Sequence, residues 1–153
     1  MGKNVGVYVC GGCGISDCMD TQKLVEIASP EAAVSVVRTS PAFCLEDADL
    51  IREDIERSGL DGVVIAACSP RVNTDVFRFD STFVDRVNIR EQVAWCQPPN
   101  DEETQSLAED YLRMGMVRAQ KASPPSPSTD ARERTILVIG GGSAGLAAAV
   151  SAG

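Results

Sequence analysis

The sequence of 153 residues contains no histidine. Imidazole is the usual general base near neutral pH and a common metal ligand. Its absence excludes His-dependent catalysis, mixed Cys–His zinc sites and Rieske-type clusters. The chain does contain six cysteines, so the metal and redox chemistry open to it depends on thiols. An all-thiolate zinc site, an iron–sulfur cluster and a dithiol redox pair remain.

Positive charge and long apolar runs are also scarce. Lys and Arg number 14 against 22 Asp and Glu, a net charge of 14 − 22 = −8, which argues against nucleic acid as a partner. The longest apolar run, Val63–Cys68, is far shorter than the ~20 residues of a membrane-spanning helix. We expect no direct membrane insertion. Since no export signal is evident, a cytoplasmic protein with reduced thiols is expected.

Apolar strands alternate with amphipathic helices over the first 121 residues. Strands are predicted at residues 5–9, 33–37, 62–68 and 83–88, and helices at 21–28, 45–58, 89–96 and 101–120. This alternation indicates βαβ units with right-handed crossovers. We therefore predict an α/β fold for residues 1–121, a three-layer parallel-sheet domain of flavodoxin- or Rossmann-like type.

A second region follows a Pro- and Ser-rich segment, residues 122–134, that we interpret as a linker. Residues 135–153 combine an apolar run, the glycines Gly140, Gly142 and Gly145, and an alanine-rich helix. This spacing is typical of the first strand and helix of a Rossmann domain, where the glycines let a pyrophosphate approach the helix. We expect a truncated start of an FAD-binding domain, poorly packed here, that binds FAD only in a longer parent.

Four cysteines are predicted to meet at one edge of the sheet. Cys10 ends the first strand and Cys68 ends the third, while Cys13 and Cys44 lie in the loops after the first and second strands. The carboxyl ends of parallel strands share one edge, where such folds bind their ligands. Four thiolates suit a 4Fe-4S cluster, a 2Fe-2S cluster or a closed zinc site.

Alternatives remain for these thiols. Cys10 and Cys13 form a Cys-x-x-Cys pair that also suits a thiol–disulfide redox enzyme. Cys18 is close enough in sequence to replace Cys13, and Cys96 beside Trp95 suits either packing or ligation. Reduced, buried cysteines in a docking module without a cofactor are the third interpretation.

Several motifs resemble those of a known family. They are Val7-Tyr-Val-Cys-Gly-Gly-Cys-Gly14, Ala66-Ala-Cys-Ser-Pro-Arg71, Val87-Asn-Ile-Arg-Glu-Gln92 and the Gly140 motif after a linker. Together they resemble the N-terminal part of the A subunit of heterodisulfide reductases. The segments Val72–Phe77, Pro98–Gln105 and Ala108–Met114 are more similar to the related A subunit of the quinone-interacting membrane-bound oxidoreductase of sulfate reducers.

The resemblance implies a flavoprotein whose N-terminal domain carries one iron–sulfur cluster, preferably 4Fe-4S. That domain would relay electrons between the FAD domain and the other subunits of the complex. The ligand set that the motifs imply is Cys10, Cys13, Cys44 and Cys68. In the family a cysteine follows Arg-Glu-Gln, whereas here Val93 follows and Cys96 comes three residues later. Arg71 and Arg90 are candidates for positive charge near the cluster.

Overall fold

The computed structural model describes residues 3–45, 47–79, 82–126 and 135–153. Its strands are β1 (Val5–Cys10), β2 (Val34–Ser40), β3 (Gly62–Ala67) and β4 (Phe83–Asn88). Its helices are α1 (Ile15–Cys18), α2 (Thr21–Ala28), α3 (Ala48–Ser58), α4 (Glu102–Lys121) and α5 (Ser143–Ala152), with one π-helix (Arg90–Ala94).

The four strands form one parallel sheet in the order β2-β1-β3-β4. In this register Val7 of β1 lies opposite Val37 of β2 and Val64 of β3. Every residue of β1 and β3 is buried, as is usual for central strands covered on both faces. The predicted parallel α/β architecture is confirmed, and its order matches the first four strands of the flavodoxin-like 2-1-3-4-5 sheet.

Helices cover both faces of this sheet. On one face, Val7 and its alternate neighbours pack with α2 and α4 in a core cluster that includes Leu24 and Leu112. On the other face, Tyr8 packs with Ile51 of α3 and with the loops that carry Phe43 and Phe77. Successive residues of a strand point to opposite faces, so each central strand contributes to both clusters.

The capping residues show why the two accurately predicted helices, α2 and α4, begin where they do. The Asp20 carboxylate accepts from the amides of Gln22 and Lys23, and α2 starts at the next residue. Asp101 accepts from the Glu103 amide at 2.8 Å and caps α4 in the same way. These side chains satisfy amides that have no partner within the helix.

Two predicted helices differ from the structure. Leu45 lies outside α3 and is 72% exposed, because the helix begins only at Ala48, after the loop that carries Cys44. Residues 89–96 form a five-residue π-helix, Arg90–Ala94, with turns on either side. π-Helical turns are rare and often occur at functional sites.

A buried charged group fixes β1 to its neighbours. Asp54 of α3 is fully buried and accepts hydrogen bonds from the hydroxyl of Tyr8 and from Arg38 and Arg57. The hydrogen bonds from Arg38 hold the pKa of Asp54 below its ordinary value, although burial opposes this. The network therefore ties α3 to β1 and β2.

The segment after the linker is organised differently from the expectation of a strand followed by a helix. The helix forms as α5, but none of its residues is buried. Within the described residues, residues 135–140 pair with no strand, and Ile139 is 88% exposed. The predicted strand is thus absent. The second part of the predicted linker, residues 127–134, lies outside the described residues.

None of the helices in the described part of the chain has the length and apolar character needed to cross a membrane.

Candidate metal centre

The four predicted ligands lie along the carboxyl edge of the sheet. Cys10 is the last residue of β1, and Cys68 directly follows β3, the strand paired with β1. Cys13 and Cys44 lie in the loops after β1 and β2. In a flavodoxin-like order, β1 and β3 flank the point where the chain reverses direction across the sheet, which is where such folds bind ligands.

Gly12 allows the loops after β1 and β2 to lie against each other. A Cβ atom at this position would lie 2.0 Å from the Pro41 carbonyl oxygen and 3.7 Å from the Cys10 sulfur. The Gly11 amide also donates to the Ser40 carbonyl at 2.8 Å. This close contact brings the loop that carries Cys44 against the loop that follows Cys10. Any residue with a side chain at position 12 would force the two loops to move apart.

Burial and backbone hydrogen bonds act in opposite directions on the Cys10 thiol. Burial raises the pKa of the Cys10 thiol, and the nearby thiols of Cys44 and Cys13 raise it further. The amides of Gly12 and Phe43 oppose this by favouring the thiolate.

Cys68 receives a side-chain donor that the sequence analysis did not identify. The Nη2 atom of Arg86, on β4, lies 3.2 Å from the Cys68 sulfur and 3.3 Å from its carbonyl oxygen. The guanidinium carbon lies 4.2 Å from the centre of the Phe77 ring. Burial lowers the pKa of Arg86, and the thiols of Cys68 and Cys44 counteract part of this effect.

A second arginine belongs to an ion pair beside Cys13. Nη2 of Arg90 donates to the Glu91 carboxylate at 2.7 Å, and Glu91 also accepts from the Ser69 amide at 2.8 Å. The hydrogen bond to Glu91 raises the pKa of Arg90, and the neighbouring Cys13 thiol adds to this against the effect of burial. Burial alone would raise the pKa of Glu91, but the hydrogen bonds from Arg90 and Ser69 hold it below its ordinary value.

Both arginines keep one buried N–H group without a partner. The Nε atoms of Arg86 and Arg90 are buried and have no hydrogen-bond acceptor among the described residues. Such groups are costly to bury unsatisfied, and guanidinium groups bind anions well. The edge that carries the thiols therefore presents donors suited to an anionic group.

The two alternative cysteines make contacts of their own. Cys18 is buried in the core cluster on the opposite face of the sheet, packed with α2 and α4. Cys96 is exposed, and its thiol donates to the Glu91 carbonyl at 2.9 Å. The structure thus gives Cys18 a packing role and Cys96 a hydrogen bond at the end of the π-helix.

No group of three or more Cys, His, Asp or Glu side chains in the described ranges is close enough together to bind a single metal ion. A tetrahedral zinc site needs four thiolates about 2.3 Å from one ion. In a 4Fe-4S cluster each thiolate binds a different iron atom, so its ligands are more widely spaced than those of a single ion; in a 2Fe-2S cluster two thiolates bind each iron atom.

The glycines of the predicted FAD motif form a tight turn before α5. Gly140 has a φ of +117°, and Gly142 is the residue that caps the helix. A Cβ atom at Gly145 would lie 2.0 Å from the Gly140 carbonyl oxygen. The turn therefore requires glycine at positions 140 and 145.

Sequence reasoning proposed Arg71 and Arg90 near the thiols and missed Arg86. Arg71 is exposed and lines a cleft of about 370 Å³ together with Arg86. Arg86 lies opposite Ile65 in the strand register, and Ile65 points to the face that contains Cys68. An arginine facing a buried layer requires a specific partner.

The fold and the site define a parallel α/β domain with a cysteine-rich carboxyl edge. No protein-family model matches the chain. Over nearly its whole length the chain is homologous to the A subunits of heterodisulfide reductases.

Three of these relatives give the extent of the similarity. The A subunit of the ferredoxin:CoB-CoM heterodisulfide reductase of Methanosarcina mazei is 34% identical over 156 residues, which cover 96% of this chain and 20% of the relative. One iron-sulfur A subunit of the CoB–CoM heterodisulfide reductase of Methanopyrus kandleri is 31% identical over 155 residues, 95% of this chain and 23% of the relative. The corresponding subunit of Methanocaldococcus jannaschii is 30% identical over 162 residues, which cover 100% of this chain and 25% of the relative. The chain therefore spans a fifth to a quarter of the length of these relatives.

Proposed function

We propose that residues 1–121 form an electron-transfer domain that holds one iron–sulfur cluster through Cys10, Cys13, Cys44 and Cys68. The observation that carries this proposal is the placement of these cysteines, which come from three separate loops, along one carboxyl edge beside Arg86. A cluster at this position supplies a group that accepts and releases single electrons. We favour 4Fe-4S over 2Fe-2S on the resemblance of the cysteine motifs.

The residues at the edge suit such a group. The unpartnered Nε atoms of Arg86 and Arg90 offer donors to the sulfurs of an anionic cluster. The amides of Gly12 and Phe43, which favour the Cys10 thiolate, act in the same sense. Gly12 keeps the space beside the Cys10 sulfur free of a side chain.

The relatives suggest where the electrons go. Their names describe subunits of heterodisulfide reductases, and some are called iron-sulfur subunits. By analogy, a flavin in the same polypeptide would supply single electrons, and the cluster held by the four cysteines would pass them to a partner subunit. That flavin would be FAD, held by the turn of Gly140, Gly142 and Gly145. We expect this complex in the cytoplasm, where thiols stay reduced.

The motifs after Cys68 favour one particular complex. Val72–Phe77 and Pro98–Gln105 resemble the A subunit of the quinone-interacting membrane-bound oxidoreductase of sulfate reducers. We therefore propose a role in sulfate reduction, with a heterodisulfide reductase-like complex as the other candidate.

Iron binding tests the proposal directly. We expect the chain of 153 residues, purified or reconstituted without oxygen, to contain about four iron and four sulfide per chain and to give a cluster signal by electron paramagnetic resonance on reduction. Two of each would indicate 2Fe-2S. A colourless chain that lacks iron after reconstitution, whether or not it reduces disulfides, would refute the proposal.

Single substitutions test the ligand set. Alanine at position 10, 13, 44 or 68 should abolish the stable cluster, because each change removes one thiolate. Cys18→Ala and Cys96→Ala are matched controls and should keep the wild-type iron content. Loss of iron in Cys18→Ala with retention in Cys13→Ala would show that the assignment within the first loop is wrong.

A further inference from the structure

Arg86, on β4, contacts the proposed ligand Cys68 directly. One guanidinium nitrogen, Nη2, lies within hydrogen-bond distance of the Cys68 sulfur, the Cys68 carbonyl and the Ser69 carbonyl, at 3.2–3.3 Å. The other, Nη1, lies 3.4 Å from the Val72 carbonyl. The guanidinium stacks on the Phe77 ring, so its position is fixed from several sides.

The charges of Arg86 and Arg90 are balanced differently. Arg90 is paired with Glu91 at 2.7 Å, and this pair contributes little net charge to the site. The ion pairs between described residues include none for Arg86. Its acceptors are a thiol and backbone carbonyls, so Arg86 brings one positive charge to the edge that its own contacts do not cancel.

We propose that Arg86 is the residue that sets the charge of this redox site: through Cys68 it stabilises the reduced, more negative state and raises the reduction potential. The inference rests on the proposed function, since it concerns a cluster held by Cys68. A hydrogen bond to a ligand sulfur and a nearby positive charge both favour electron uptake. The electron comes from the donor of the relay, and no proton or bond is exchanged at Arg86.

Comparison with the Arg90–Glu91 pair predicts the direction in which each substitution shifts the midpoint potential. Arg86→Gln removes the charge and the fork of donors, and should lower the midpoint potential. We expect about a tenfold change in the reduction equilibrium, which is about 59 mV for a one-electron couple. The double variant Arg90→Gln/Glu91→Gln removes opposite charges together with an N–H donor beside Cys13, and should lower the potential less than Arg86→Gln does. Glu91→Gln alone should raise it.

The test is a potentiometric titration of the anaerobically purified chain with mediator dyes, followed by electron paramagnetic resonance. Arg113→Gln on α4 is the matched control: Arg113 is half-exposed and pairs with Glu109 and Asp110, so its loss changes the net charge by the same amount without removing a contact to Cys68. Iron content and circular dichroism are measured first for every variant. Arg86→Lys keeps the charge without the planar fork and should give an intermediate potential.

The outcomes separate the two proposals. A wild-type chain without iron refutes the proposed function and this inference with it. A full cluster in Arg86→Gln whose potential equals that of the wild type or of Arg113→Gln overturns the inference alone. Should Arg86→Gln not fold, Arg86→Lys and Glu91→Gln decide: potentials shifted down and up, respectively, support the inference, and unchanged potentials overturn it.

Discussion

Two segments of this chain share one local sequence pattern but differ in strand pairing and in burial. Residues 5–18 and residues 135–152 each run from an apolar stretch through a glycine-rich turn into a short helix. In the first segment the apolar stretch is the buried strand β1, paired with β2 and β3. In the second, residues 135–140 pair with no strand of the described part of the chain, and the helix α5 buries none of its residues.

The difference shows which parts of the pattern are local. The backbone hydrogen bonds of a helix lie within the helix, so α5 needs no neighbouring element to satisfy its N–H and C=O groups. A strand needs partners for its N–H and C=O groups, and β1 has them on both sides. Only in the first segment, therefore, is the glycine-rich turn held in place by the sheet. Only there do cysteines from other loops lie at the same edge as the turn.

The largest loss of stability should follow from breaking the buried network that holds β1, the strand of the first segment, in place. Asp54→Asn removes the carboxylate that accepts from Tyr8, Arg38 and Arg57. Breaking a buried ion pair costs about 3–5 kcal/mol, and the partial exposure of both arginines places the expected cost near 3 kcal/mol. Urea unfolding at pH 7, followed by circular dichroism, measures it. Asp110→Asn on the exposed side of α4 is the control and should stay within about 0.5 kcal/mol.

The same network predicts a pH dependence. The folded-state pKa of Asp54 is lowered, so its contribution is present above the ordinary Asp pKa of about 3.9 and is lost as the pH falls through the folded value. The wild type should lose more stability than Asp54→Asn on acidification below about pH 4. Parallel stability curves for the two proteins would contradict this role of Asp54.

A pair of identical substitutions compares the two segments directly. Val7 of β1 is fully buried, whereas Val150 of α5 is 83% exposed. Val7→Ala should destabilise the domain by about 2 kcal/mol, because it removes buried apolar contacts and leaves a cavity. Val150→Ala should change the free energy of unfolding by less than about 0.5 kcal/mol. Equal effects in urea titrations would mean that the second segment packs on the domain after all.

A smaller loss of stability is expected when alanine replaces a glycine that lies against a carbonyl oxygen, and each segment contains one such glycine. A Cβ atom at Gly12 or Gly145 would lie 2.0 Å from a carbonyl oxygen, that of Pro41 or Gly140. Gly12→Ala should cost about 1–2 kcal/mol and reduce iron retention, because it separates two loops of the site. Gly145→Ala should leave the unfolding of the domain unchanged. Gly11→Ala, whose nearest contact would be an ordinary 3.5 Å, is the control for the first loop.

Much of the fold was predictable from local signals. The strands of residues 1–121 follow from apolar runs, and α2 and α4 follow from amphipathic stripes after Asp20 and Asp101. The placement of Cys10 and Cys68 at one edge followed from the parallel topology alone. The ligand assignment itself stays a prediction until iron is measured.

Other features were not predictable from local patterns. Leu45 carries the right spacing for a helical stripe, but the loop of Cys44 delays the helix and leaves that side chain in solvent. The π-helix at Arg90–Ala94 differs from an α-helix only in hydrogen-bond partners, which hydrophobic periodicity does not distinguish. Arg86 is an isolated charge in a short strand, and its acceptors come from the loop after β3.

By itself, then, the sequence determined the alternation of strands and helices, the sheet edge at which the thiols occur and the absence of any imidazole chemistry. Periodicity, caps and composition carry that information because they act within a few residues of each other. The tertiary structure decided which sulfur faces which side, placing Cys18 in the opposite core cluster and Arg86 against Cys68. Those outcomes depend on strand register and on contacts between loops that are distant in sequence. Local sequence patterns do not determine either of these.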